Sequence, residues 1–217
     1  DADASQIYGS YTGLVYLTPL LGGMIADRFT GYRKAILIGA LIMTLGHISM
    51  ALEGFSSNFF YVGLLFMILG NGMFKPNISS MVGQLYPDSS AKKDSGYTIF
   101  YMGINAGAFL GMLLCGYIGE KIGWHYGFGL AGVFMFFGML QFYFAQKIFG
   151  VIGQDVNIEK KTELVSEENE EVAIAAHVVR DRLIVVSVLM IASIFFFFAF
   201  EQAGGSMTLF AKDYTQR

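Results

Sequence analysis

The sequence predicts an all-α, polytopic membrane protein, and three observations carry that prediction. Of the 217 residues, 54% are hydrophobic and 14% charged, against about 25% charge in an ordinary soluble domain. Mean hydropathy is +0.53. Glycine outnumbers proline 27 to 3, and glycine is the residue that lets transmembrane helices approach closely. The apolar residues also fall into about six runs of roughly 20 residues, the length a helix needs to cross a hydrocarbon core.

Those runs cover residues 7–26, 35–52, 59–86, 97–118, 127–149 and 183–210. The third and sixth are long enough to tilt or to break, and Pro76 offers the third a break point. Basic residues then assign the sides. Arg28, Arg33 and Lys34 lie between the first two runs, and Lys92 and Lys93 between the third and fourth. Lys147, Lys160, Lys161, Arg180 and Arg182 lie between the fifth and sixth, whereas the alternate loops hold only Lys121, with Lys212 and Arg217 after the last run. By the positive-inside rule the basic loops are cytoplasmic, so the first run enters from outside. The charges of a secretory leader are absent, and a chain entering from outside without one is expected to lack an upstream helix. Cys115 has no partner for an internal disulfide or a CxxC metal pair.

Charged residues inside apolar runs are the candidates for function. Lys75 lies about 15 Å or more from either end of its run at 1.5 Å per residue, too deep for its stem to snorkel to a headgroup. An intramembrane cation normally faces a protein interior or wet cavity and marks a substrate or ion pathway, the alternative being a buried structural charge. Glu201 follows the aromatic run Phe195–Phe200, about 28 Å along its helix from Arg182. The two depths differ, which argues against a direct Lys75–Glu201 ion pair. Asn105 stands beside Gly103, Gly107 and Gly111, whose spacing makes a smooth face for a neighbouring helix. Its amide must find hydrogen bonds in another helix or in a polar ligand, and polarity alone leaves both open.

The weaker candidates divide similarly. Tyr16 reads as a pocket-lining tyrosine or as a packing aromatic. His47 could carry a proton, but interhelical packing is the more economical role. Glu53 ends a run on the outer side, and Trp124 with His125 has the pattern of an interfacial anchor. Residues 154–182 carry Glu159, Glu163, Glu167, Glu168, Glu170 and Glu171. They read as a solvated linker between two helical bundles, with a partner-binding acidic segment as the alternative. Within it, 172–182 has the pattern of a short amphipathic helix on the membrane surface.

The first loop, Gly22-Gly23-Met-Ile-Ala26-Asp27-Arg28-Phe-Thr-Gly31-Tyr-Arg33-Lys34, resembles the loop motif of the major facilitator superfamily. There an acid near basic residues forms a charge lock at the cytoplasmic face; the plain alternative is a basic turn. The segment Tyr97-Thr-Ile-Phe-Tyr-Met-Gly-Ile-Asn-Ala-Gly-Ala-Phe109, with Phe74-Lys75-Pro76-Asn77 and Phe200-Glu201-Gln202, resembles signatures of the proton-dependent oligopeptide transporters within that superfamily. The resemblance covers essentially the whole chain.

If it holds, the chain has a partial major facilitator fold, corresponding to helices two to seven of twelve. Residues 1–150 would be part of the N-terminal helical bundle, 151–182 the cytoplasmic acidic linker and 183–217 the first helix of the C-terminal bundle. The implied function is proton-coupled symport of di- and tripeptides by alternating access in the cell membrane. Tyr16, Lys75 and Asn105 would bind substrate, Glu201 and Lys75 would couple protons or gate, and Asp27, Arg28 and Arg33 would form the cytoplasmic gating loop. Glu201 looks like the seventh-helix acid that meets an arginine of the first helix, and Lys75 like the fourth-helix lysine that faces an acid of the tenth.

The partners of Glu201 and Lys75, and the first-helix motif itself, have no counterpart in this sequence, so the chain reads as a fragment of a longer protein. Phe197 also stands where the family carries a tryptophan. The expected partners are small peptides, the lipid bilayer and the remaining helices of the same protein, with no nucleic acid. Protons are the coupling ion, and no other cofactor or metal is expected. HExxH, GxSxG and Cys/His clusters are missing and His47, His125 and His177 are dispersed, so an intramembrane enzyme is not the reading. A facilitator for another small solute, and a non-transporting peptide receptor of the same fold, are the alternatives.

Overall fold

The computed structural model describes residues 2–86, 90, 92–154 and 176–215. The body of the expected linker, including Lys160, Lys161 and the six glutamates, lies outside them. The described residues are helical: α1 (Ala2–Ile25), α2 (Gly31–Ala51), α3 (Asn58–Gln84), α4 (Lys92–Gly111), α5 (Tyr117–Lys121), α6 (Trp124–Ala145), α7 (Ala176–Phe200) and α8 (Ser206–Tyr214). Among them are five helical runs long and apolar enough to cross a membrane, the first extending 49 residues from Asp3 to Ala51.

That first run contains the first two expected spans. At 1.5 Å per residue it would measure about 74 Å if straight, more than twice a bilayer core, but its two halves run in opposite directions. α1 lies along α3 with residue numbers rising together overall, Val15 and Thr18 lying against residues 68–72 and Gly22 against residues 72–77. α2 lies along α3 with numbers opposed, Gly39 against Gly70 and Gly46 against Gly63. The reversal falls at Ala26–Thr30, a wider π-type turn ending at Gly31, whose φ of 70° suits glycine.

Glycine sets the spacing of the α2–α3 pair. A Cβ at Gly39 would lie 2.7 Å from the Gly70 carbonyl oxygen, and one at Gly70 would lie 2.8 Å from that of Gly39. Gly46 and Gly63 repeat the arrangement one heptad away, so two backbones touch along a seam of small residues. α6 joins the pair by placing Gly132 against His47 and Gly129 against Ala51. Ala26, Ala35, Ile36, Ala40 and Asn77 are almost fully buried. This core belongs to one compact unit, residues 11–164; residues 1–10 and 165–217 form a second.

Two prolines sit inside helices, and neither breaks its helix. Pro76 lies within a continuous α3, contrary to the expected break point. A helix-interior proline frees the carbonyl four residues earlier. For Pro76 that is Gly72, which α1 passes at Gly22 and Thr18. For Pro19 it is Val15, whose oxygen accepts from Asn71 Nδ2 at 3.4 Å. Neighbouring backbone and amide groups thus surround both defects.

Two other boundaries differ from expectation. From Ala176 onward, the surface helix expected over 172–182 is the beginning of α7, because no glycine or proline separates His177–Arg182 from the apolar run. The sixth span does break: α7 ends at Phe200, Glu201–Ala203 form a tight 3-10 turn, and α8 begins after Gly204–Gly205.

Candidate functional site

Lys75 lies on α3 beside Tyr16 of α1, its Nζ 5.1 Å from the centre of the tyrosine ring. The parallel α1–α3 contact at Val15–Asn71 and Thr18–Ile68 brings these two positions into register. The lysine side chain is exposed and the tyrosine is 44% exposed. The ring's negative face attracts the ammonium at little desolvation cost, leaving the charge available to an anion. Ser79 Oγ donates to the Lys75 carbonyl, a bond of the helix's own.

Asn105 is not brought to this pair. Its Nδ2 donates to Tyr101 O at 2.9 Å on its own helix, and its side chain is exposed. α4 meets α3 near its beginning, where the Tyr97 hydroxyl donates to Ser79 O at 3.3 Å and lies against Gly83. Gly103, Gly107 and Gly111 have open space where a Cβ would stand, so their smooth face is unpacked among the described residues.

The first-loop residues separate by environment. Asp27 and Arg28 are exposed on the π-type turn, whereas Arg33 is 7% exposed. Arg33 Nε donates to Ile152 O at 2.6 Å and Nη2 to Gly150 O at 2.7 Å. Its backbone N–H donates to Gly153 O at 2.9 Å, and its guanidinium lies 5.7 Å from the Phe149 ring centre. Arg33, expected as a basic member of a charge lock near Asp27, closes its fork on carbonyls just beyond α6. Gly150 and Gly153, at φ 57° and 66°, turn those carbonyls back toward it.

Glu201 stands on the 3-10 turn after α7, where the Tyr8 hydroxyl of α1 donates to Oε2 at 3.3 Å. Phe197 packs edge-on against Phe196 and Phe200. His47 fits the packing role through its contact with Gly132. Trp124 rests on Gly119 and Phe128.

A cavity of about 300 Å³ between α2, α3 and α6 is apolar, lined by Ile36, Phe74, Phe134 and Phe142 with Gln141 as a polar member. Lys75, Tyr16 and Asn105 are not among its walls. Among the described residues no three His, Cys, Asp or Glu side chains cluster as metal ligands would.

Sequence reasoning missed Tyr8 and Asn71, and gave Asn77 no role beyond its place in the Phe74–Asn77 motif. Asn71 had a signal, since Pro19 implies an orphan carbonyl needing a donor, and Asn77 likewise lies on the face that meets α1, donating to Gly22 O and Met73 O. Tyr8 had none, because its partner is 193 residues away.

A sequence profile of the POT family (PTR2) matches residues 33–166. The peptide transporter YePEPT of Yersinia enterocolitica is 35% identical over 99% of this chain and 52% of its own length. The di-/tripeptide transporter of Lactococcus lactis is 39% identical over 71% of this chain and 31% of its own. Among solved structures, peptide transporter POT in complex with sulfate superposes with a TM-score of 0.65 at 37% identity, over 85% of this chain and 36% of that one. The chain therefore spans about half the length of the Yersinia relative, and its fold is part of the transporter fold of that structure. It is a multi-pass helical membrane protein, and the profile match over more than half its residues shows that it belongs to the POT family.

Proposed function

We propose that this chain supplies helices two to seven of a proton-coupled symporter of di- and tripeptides, working by alternating access in the cell membrane. The observation that carries the reading is Lys75: an exposed ammonium two-thirds of the way along an apolar α3, steadied by the Tyr16 ring rather than neutralised. A peptide carries a fixed cation at one end and a carboxylate at the other. Lys75 suits the carboxylate, with Tyr16 lining the site and Asn105 contributing its free carbonyl face once further helices enclose it. Glu201 is the protonatable group, and proton uptake there weakens the hydrogen bonds and ion pairs its ionised form makes, letting an inward proton gradient bias the gate.

Asp27 and Arg28 remain the exposed charges for a cytoplasmic lock. The names of the Yersinia and Lactococcus relatives support the substrate class. Protons are the coupling ion, and the remaining partners are the bilayer and the other helices of the transporter.

The test is uptake of a labelled dipeptide by the intact transporter in liposomes, with and without an inward proton gradient. Gradient-dependent accumulation, competed by di- and tripeptides but not free amino acids and lost in Lys75→Ala and Glu201→Gln, is the expected result. Accumulation retained in both variants would overturn the residue roles, and binding without flux would replace transport by a receptor.

A further inference from the structure

The break between α7 and α8 is shaped around a side chain from α1. Glu201–Ala203 tighten into a 3-10 turn, and Gly204 and Gly205 then leave a notch with no side chain. Tyr8 fills it: a Cβ at Gly204 would overlap the Tyr8 hydroxyl and ring, and one at Gly205 would touch the ring at 3.7 Å. The hydroxyl, set against Gly204, donates to Glu201 Oε2 at 3.3 Å. On the other side the restart is tied locally, Ser206 Oγ donating to Gln202 Oε1 at 2.5 Å and Thr208 Oγ1 to Ala203 O at 2.6 Å. Both the α1 segment and the break belong to one compact unit.

We infer that Tyr8 is a positioning residue for Glu201: seated in the Gly204–Gly205 notch, it holds the ionised carboxylate and ties the first turns of α1, up to residue 10, to the α7–α8 break. The inference rests on the reading of Glu201 as the protonatable group. A phenol donates readily to a carboxylate oxygen, whereas a protonated carboxyl is a weaker acceptor and brings its own O–H. The bond between the elements is therefore strong when Glu201 is charged and weak when it is protonated. The other titratable residues on the elements meeting this turn are Asp3, Tyr11 and Tyr16 on α1 and Lys212, Asp213 and Tyr214 on α8, the Lys212 side chain lying outside the described residues. Those of α7, His177 to Arg182, stand at its far end, about 28 Å or more away along the helix.

The test uses the intact transporter in liposomes and two readouts, gradient-driven dipeptide accumulation and gradient-independent counterflow. Tyr8→Phe keeps the ring in its notch and removes the hydroxyl, whereas Gly204→Ala displaces the ring. Both are expected to lower driven accumulation about tenfold, the low end for one lost hydrogen bond to a charged group, while counterflow stays within about twofold of wild type. Tyr8→Phe with Glu201→Gln is expected to match Glu201→Gln alone. Wild-type accumulation in Tyr8→Phe, beside a Glu201→Gln variant that has lost it, would overturn the Tyr8 role alone. A parallel loss of both readouts in Tyr8→Phe would reduce Tyr8 to a structural residue. Accumulation retained in Glu201→Gln itself would overturn both roles.

Discussion

Replacing Arg33 distinguishes a buried clamp from a loop charge. In Arg33→Ala two charge-assisted hydrogen bonds of 2.6 and 2.7 Å disappear, leaving the Ile152 and Gly150 carbonyls to find other donors. Hydrogen bonds to charged groups contribute about 1.5–3 kcal/mol each, and the guanidinium over Phe149 adds about 0.5–1 kcal/mol. Gln154 Nε2 already donates to Gly150 O at 2.9 Å, so one acceptor is only partly orphaned. The net loss is then about 2–4 kcal/mol, toward the lower end because the loop can relax to water. Arg33→Lys keeps the charge but lacks the fork that reaches two divergent carbonyls, and should cost about 1–2 kcal/mol. The assay is thermal unfolding of the intact transporter in detergent, with limited proteolysis beyond Gln154 as a second readout. At about 2–4 °C per kcal/mol for a unit of this size, Arg33→Ala should melt about 4–16 °C lower and Arg33→Lys about 2–8 °C lower, each cleaved faster than wild type. If Arg33→Lys melts and cleaves like wild type, Arg33 acts as a charge alone and the clamp is wrong.

Further predictions concern the packing and the candidate site. Asn71→Leu leaves the Val15 carbonyl that Pro19 frees without its donor, and should lower stability by about 1–2 kcal/mol. Adding Pro19→Ala returns a helical N–H to that carbonyl, so the double variant should recover the melting temperature; equal melting of wild type and Asn71→Leu would refute the pairing. Gly70→Ala should destabilise although alanine gains about 1 kcal/mol of helix propensity, because its Cβ would stand 2.6 Å from Met43 Cγ. A melting temperature at or above wild type would show that the seam has room. Tyr16→Leu removes the ring beside Lys75, and at about 0.5–1 kcal/mol for an exposed cation–π contact should raise the KM for dipeptide uptake about two- to fivefold; an unchanged KM would remove Tyr16 from the site.

Where the sequence was legible, the reason was periodicity and composition acting over short distances. The spans of α2, α3 and α6 follow from long, predominantly apolar runs, and the reversal before α2 from the basic, glycine-bearing segment around Gly31. The pairing of Tyr16 with Lys75 depends instead on a helix crossing, which single-helix patterns do not encode. Pro76 shows the opposite limit: its local signal is to break, but a neighbouring backbone packed at Gly72 outweighs it. Arg33 reads as one charge among several in a basic loop, yet only the return of residues 150–153 makes it a buried clamp.

By itself the sequence determined a helical membrane protein, its approximate spans, the family it belongs to and the two charges set in apolar runs, Lys75 and Glu201. These are properties of hydrophobic length and of motifs, both local along the chain. The tertiary structure decided which polar groups satisfy one another: Asn71 with Val15, Asn77 with Gly22, Arg33 with Ile152 and Gly150, and Tyr8 with Glu201. Among apolar helices a buried donor must find its acceptor wherever a neighbouring backbone comes within reach. That reach is set by where glycines let two helices touch, and it joins residues as far apart as 193 positions.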